Sequence, residues 1–183
     1  MITKDLTRAI LFSVILFVTH SWVGQIPILI TGISGIGYTL IIINIVIYSV
    51  AGLFFEGRRW RIFFMTGIIV VLTLPLYLGG RPYDIISRLP ILLSAFFFDL
   101  IFNSLYKIFE IKKHLDLWII CGVTFNFMAS TLLAVPVNLI FYTPEVVQML
   151  FNTTSIFLPI ILIESIIGGY IGYKIFRRVK TSL

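Results

Sequence analysis

Residues 40–48 read Leu-Ile-Ile-Ile-Asn-Ile-Val-Ile-Tyr, apolar at every position except Asn44. A strand of a membrane barrel alternates apolar and polar residues, because one face meets lipid and the other the lumen. This run does not alternate, so it predicts a helix surrounded by lipid and protein. Five other runs have the same character. With it they give six candidate spans at about 6–23, 35–55, 62–78, 86–106, 117–141 and 154–176, the third being the shortest. Each is near the length that crosses a hydrocarbon core of roughly 30 Å. The expectation is a single all-α transmembrane domain over residues 1–183.

Composition agrees. The 183 residues are 59% hydrophobic and only 12% charged, with a mean hydropathy of +1.07. Soluble proteins carry roughly a quarter charged residues, so a water-soluble globule is excluded. The excess of 14 Lys and Arg over 8 Asp and Glu does not form a patch for nucleic acid. Lys4 and Arg8 lie in the N-terminal segment; Arg58, Arg59 and Arg61 follow the second span; Lys107, Lys112 and Lys113 follow the fourth; Lys174, Arg177, Arg178 and Lys180 lie at the C-terminus. The alternate links hold only Arg81 and Arg88. This pattern predicts six crossings with both termini in the cytoplasm, in a plasma-membrane protein. The N-terminal run lacks a small-residue cleavage site and reads as a retained first helix. Trp22, Trp60 and Trp118 fall at span ends, where indoles anchor to headgroups. Cys121, the lone cysteine, reads as a small buried hydrophobe and allows no intrachain disulfide.

Small or polar residues inside the spans recur every fourth position: Ala95, Asp99 and Asn103; Gly122, Asn126, Ser130 and Ala134; Glu164, Gly168 and Gly172. Each series marks one helix face, and small residues on such a face let backbones approach. Gly168 and Gly172 therefore read as helix packing. Asp99 and Glu164 carry two open readings: functional acids, or structural groups paired with Asn103 or Asn126 or held protonated. On the predicted outer side, Gly79 to Asp84 is turn-rich, with Arg88 one turn into the next span, and the 138–152 link brings Tyr142, Glu145 and Gln148. Arg81, Tyr83, Asp84, Arg88, Asn126, Tyr142 and Glu164 are thus candidates to bind a small polar ligand. The alternative for Arg81, Asp84 and Arg88 is headgroup contact and a local ion pair. Asn152-Thr153-Thr154 has the form of a glycosylation acceptor.

Enzyme readings lack a constellation. Gly32-Ile33-Ser34-Gly35 resembles the nucleophile motif of rhomboid proteases, but a serine needs a base. The later histidine, His114, is expected a membrane thickness away. His20 and His114 fall on opposite sides as well, so they cannot share a haem or metal. No nucleotide-binding loop is present. No metal or other cofactor is expected.

Six helices in this length, basic inner links and polar outer links resemble the S-components of energy-coupling factor (ECF) vitamin transporters. Residues 88–101, from Arg88-Leu89-Pro90 to Phe98-Asp99-Leu100-Ile101, are similar to a helix of that family, and residues 163–173 to its last helix. The resemblance implies a substrate-capture subunit that binds a vitamin or related micronutrient in the outer half and works with a T-component and two ATPases. It also implies that Ala9 and Ser13, four apart, form a docking or helix-packing face. Arg81 or Arg88 would then meet an anionic group, with Tyr83, Tyr142 or Trp22 covering the ligand. Two other readings remain open: a small intramembrane enzyme acting on lipid or isoprenoid through Asp99 or Glu164, and a structural or assembly protein.

Overall fold

A computed structural model describes residues 3–23, 26, 30, 41–76 and 82–181. Among these the chain is all-helical, with six α-helices: α1 (Thr3–Trp22), α2 (Ile42–Phe54), α3 (Arg61–Thr73), α4 (Leu89–Ile111), α5 (Leu115–Phe141) and α6 (Pro144–Thr181). A 3-10 turn, Ile86–Arg88, leads into α4. With that turn α4 is long and apolar enough to cross a membrane, as are α5 and α6, whereas α2 and α3 are shorter apolar helices. Gly24, Gln25, the Gly32 to Gly35 motif and the Gly79, Gly80 and Arg81 segment lie outside the described residues.

The helices close into a ring in the order α1, α3, α4, α5, α6, α2 and back to α1, with α2 also touching α5 across the middle. Neighbouring contacts place the helix ends. Arg8 in α1 reaches the Phe54 carbonyl at the end of α2, and the Phe54 ring lies edge-on to Phe176 near the end of α6. Asn103, late in α4, reaches the Arg58 carbonyl before α3, and Tyr106 meets Trp118 at the start of α5. The start of α1 and the end of α6 therefore lie at one end of the bundle, together with the basic links. This is the basic end.

Close backbone approach holds the ring together. A Cβ on Gly172 would lie 2.5 Å from Ser49 Cβ and 3.0 Å from the Val46 carbonyl oxygen, and one on Gly168 would lie 2.8 Å from Ile45 Cγ2. Both glycines face α2, while Gly169 sits 3.0 Å, by the same measure, from Ile120 Cα in α5. The turn between α4 and α5 is equally specific. His114 N–H donates to Phe109 O (2.9 Å) and Lys113 N–H to Glu110 O (3.0 Å), with Lys113 at φ 59°. This is a Schellman end with lysine at the left-handed position.

Several boundaries differ from the sequence expectation. The expected 138–152 outer link is almost entirely helical: only Tyr142 and Thr143 separate α5 from α6, whose 38 residues span about 57 Å. Pro144 starts that helix because a first-turn residue needs no N–H donor. Asn152 is consequently mid-helix. The described part of α2 starts at Ile42, the expected start at 35 lying outside the described residues, and α3 ends at Thr73 rather than 78. Trp118 is not an interfacial anchor but fully buried. Its indole N–H donates to Phe102 O at 2.7 Å, and Phe98 and Tyr106 meet its ring edge-on. Cys121, expected to be buried, is exposed on α5. Gly122 beside it takes the inward position against Phe98.

Candidate functional site

Helices α2 and α3 have 13 residues each, about 20 Å, and neither has a side-chain cap of its own at the N-terminus. A helix end buried among apolar side chains leaves N–H and C=O groups without water, at a cost of about 1–3 kcal/mol for each group left unmade. Neighbouring helices supply the missing partners.

Asp99 of α4 is buried against the start of α3. Its Oδ2 accepts the Phe63 N–H at 2.7 Å, and its Oδ1 accepts from the Asn103 amide. Phe63 is the third residue of α3, where an N-cap side chain from the helix itself would normally bond. At the other end of α3, fully buried Arg88 donates through Nη2 to Thr73 O (2.9 Å) and Leu76 O (3.0 Å), and through Nη1 to Asp84 O (2.5 Å). Arg88 and Asp99 are eleven residues apart, roughly 16 Å along a helix and three full turns. That spacing matches the length of antiparallel α3 and puts an anion at its positive end and a cation at its negative end.

Helix α2 is treated in the same way. The Glu164 carboxyl group accepts backbone hydrogen bonds from Ile42 and Ile41 at its start. Arg8 donates to Phe54 O at its end, 3.0 Å, with its guanidinium 5.3 Å from the Phe54 ring centre. The acids in the spans and two arginines thus bind helix ends. This is the pairing alternative for Asp99 with Asn103, extended by a role that needs knowledge of which helix ends lie nearby.

The predicted ligand cluster divides. Asp84 holds its own turn: Oδ1 accepts from Ile86 N–H (3.0 Å) and Ser87 N–H (3.4 Å), and Oδ2 accepts from the Tyr142 hydroxyl. Burial opposes its charge, but these hydrogen bonds more than offset that and hold the carboxyl below its ordinary range. Of the local ion pair offered as the alternative for Arg81, Asp84 and Arg88, the described residues show Arg88 reaching the Asp84 carbonyl instead of its carboxylate. Asp84 and Tyr142 tie the turn before α4 to the α5–α6 link. Tyr83 is exposed, at φ 59°, and Arg81 lies outside the described residues. Ala9 and Ser13 are fully buried, and Ser13 Oγ donates to Ala9 O (2.6 Å) or Met65 O (2.9 Å). That face packs on α3 and is not open to a partner.

What remains is a polar seam. Tyr48 of α2 hydrogen-bonds Thr66 of α3 and receives the Asn126 amide of α5. Asn44, one turn from Tyr48, reaches His20 Nδ1 of α1 at 3.3 Å. Among the described residues, Ser21 Oγ, Asn44 Oδ1, Asn126 Oδ1, Glu164 Oε2 and Ser165 Oγ are buried with no hydrogen-bond partner. They come from the last turn of α1, the first turn of α2 and the middle of α5 and α6, so the group lies from mid-bundle to the end opposite the basic one. Asn126 and Glu164 were legible as candidates; Asn44, His20 and Ser165 were not. Asn44 had a signal, being the single polar residue in the 40–48 run.

The basic end has its own polar centre. Asp5, fully buried, accepts from Arg58 Nη1 (2.7 Å) and Arg61 Nε (3.1 Å), while Arg58 also pairs with Glu56 at 3.2 Å. Burial opposes the Asp5 charge, and the two guanidinium groups more than offset it, lowering its pKa and raising that of Arg58. No cluster of metal-ligating side chains occurs among the described residues. Comparison with protein-family models, with curated proteins and with solved structures gives no match.

Proposed function

We propose that this chain is a six-span plasma-membrane subunit that captures a small molecule for uptake, with both termini cytoplasmic and transport driven by partner T-type and ATPase subunits. The basic residues gathered at one end support the topology, through the preference of Lys and Arg for cytoplasmic links. The observation that carries the ligand reading is the set of partnerless polar atoms on α1, α2, α5 and α6, away from the basic end. Buried polar atoms are normally hydrogen-bonded, and a bound polar ligand would supply what these five lack. The resemblance to ECF S-components points the same way, towards a vitamin or related micronutrient.

Arg88, Asp84 and Tyr142 would frame this site rather than contact the ligand, because their polar groups hold helix ends and a turn. The ligand would meet Asn44, Asn126 and Glu164, whose partnerless atoms are all acceptor oxygens, so it should present N–H or O–H donors. Mass spectrometry of the denatured, detergent-purified chain is expected to release a co-purified small molecule. Asn44→Leu and Asn126→Leu should reduce its occupancy and the uptake by cells that express the chain with its partners. An empty wild-type chain, with uptake unchanged in both variants, sinks the proposal. A purely structural protein, the second reading, is favoured by the use of Ala9, Ser13, Gly168 and Gly172 in helix packing; it predicts changes in stability alone.

A further inference from the structure

A cleft of about 520 Å³ opens at the basic end, between the link that joins α2 to α3 and the last turns of α4. Its size is that of a small-ligand site, which commonly runs about 300–1,000 Å³. Two cations line it, Arg59 and Lys107, and two anions, Glu110 and Glu56, the latter also paired with Arg58 at 3.2 Å. The link is held in an unusual shape: Glu56, Gly57 and Trp60 all have positive φ, at 52°, 68° and 68°. A side chain on Gly57 would collide with Tyr106, so the link is pressed onto α4. Arg59 is steered into the cleft by a 3.3 Å bond from Nη2 to Ser104 Oγ, and Glu110 receives the Tyr106 hydroxyl at 3.4 Å. Lys107 forms no ion pair with any described residue.

The cleft continues into an apolar strip. Phe96, Leu100, Ser104 and Lys107 lie on one face of α4 by their spacing, and Leu100 and Ser104 are exposed. Half-exposed Trp60, next to Arg59 in the chain, packs on Phe96 with ring centres 5.5 Å apart, and Phe63 completes the group at 6.4 and 6.1 Å from the two. A polar cleft with balanced charge therefore opens onto an aromatic and aliphatic surface suited to a hydrocarbon chain.

We infer that this cleft binds the headgroup of a zwitterionic phospholipid, with the phosphate at Arg59 and Lys107 and a primary ammonium at Glu56 and Glu110. Two cations alone would favour an anionic headgroup, but here such a headgroup would also meet two carboxylates. A primary ammonium offers three N–H donors to them, and a trimethylammonium offers none. The Trp60–Phe96 strip, which a soluble phosphoethanolamine would leave uncovered, selects the lipid over the free headgroup.

The test uses the detergent-purified full chain, titrated with short-chain phosphatidylethanolamine, phosphatidylcholine and phosphatidylglycerol and with free phosphoethanolamine, and read by native mass spectrometry. Phosphatidylethanolamine should bind about tenfold more tightly than phosphatidylcholine, the ratio expected from one charge-assisted hydrogen bond. Glu110→Gln should remove most of that preference while phosphatidylcholine binding persists, and Arg59→Ala should weaken both lipids. Equal binding of the two zwitterionic lipids, tighter binding of phosphatidylglycerol, or equal binding of free phosphoethanolamine and its lipid would each overturn the assignment. The wild-type series decides this even if a variant fails to fold.

Discussion

Asp99 shows what a single carboxylate can do inside a helical bundle. It takes the place of an N-cap for α3, a helix preceded by Trp60, which has no side-chain oxygen to offer. Asp99→Ala should lower stability by about 2–3 kcal/mol, because a buried backbone donor and the Asn103 amide lose their acceptor together. Asp99→Asn keeps one acceptor oxygen and should lose less. Thermal unfolding of the two purified variants in detergent checks the order. If Asp99→Asn instead left stability intact and abolished a lipid-directed turnover, the acid–base reading would return. Glu164 differs in one respect: it caps α2 with one part of its carboxyl group and leaves Oε2 with no partner among the described residues.

At the scale of the element, α6 is the helix that sequence spacing described best. Gly168 and Gly172 stand four apart and face the same partner, α2, while Gly169 turns about 100° away to meet α5. Gly172→Ala should destabilise by about 1–3 kcal/mol, since Ser49 Cβ and the Val46 carbonyl both occupy the space a methyl group needs. Gly67 of α3 is the control. Nothing lies within 4 Å of the position of its Cβ, so Gly67→Ala should gain up to about 1 kcal/mol from helix propensity. Chemical or thermal unfolding of the pair should give opposite signs. Loss of the same stability in both would show that α2 and α6 are not in this close contact.

For the whole molecule, the acid response follows from two carboxylates outside the spans, Asp5 and Asp84. Both have pKa values lowered from the ordinary 3.8 in the folded chain. Their stabilisation is therefore complete above that value and is lost as pH falls through the lower, folded values. Stability set by these groups should be flat from neutral pH down to about 4 and fall below it. Asp5→Asn should flatten the part of the acid limb due to Asp5 and lower stability at neutral pH by ~2 kcal/mol, because Arg58 and Arg61 lose their shared acceptor. A pH series of melting temperatures for wild type and variant measures both effects. An identical acid limb in the two chains would remove Asp5 from the account.

The sequence by itself determined the helical class, the approximate positions of the long apolar runs, the gathering of basic residues at alternate links and the spacing of Gly168 and Gly172. These are local properties: hydropathy, charge order and a four-residue period survive in any arrangement of the helices. Only the tertiary structure decided that Ala9 and Ser13 are inside, that Trp118 is buried, and that Asp99, Arg88, Glu164 and Arg8 bind the ends of α2 and α3. A residue that caps another helix is specified by the ring order of the bundle and by the register between antiparallel neighbours, and neither is written within its own helix. The spacing of Arg88 and Asp99 was visible from the start. It became interpretable once α3, about as long as that spacing, was found lying between them.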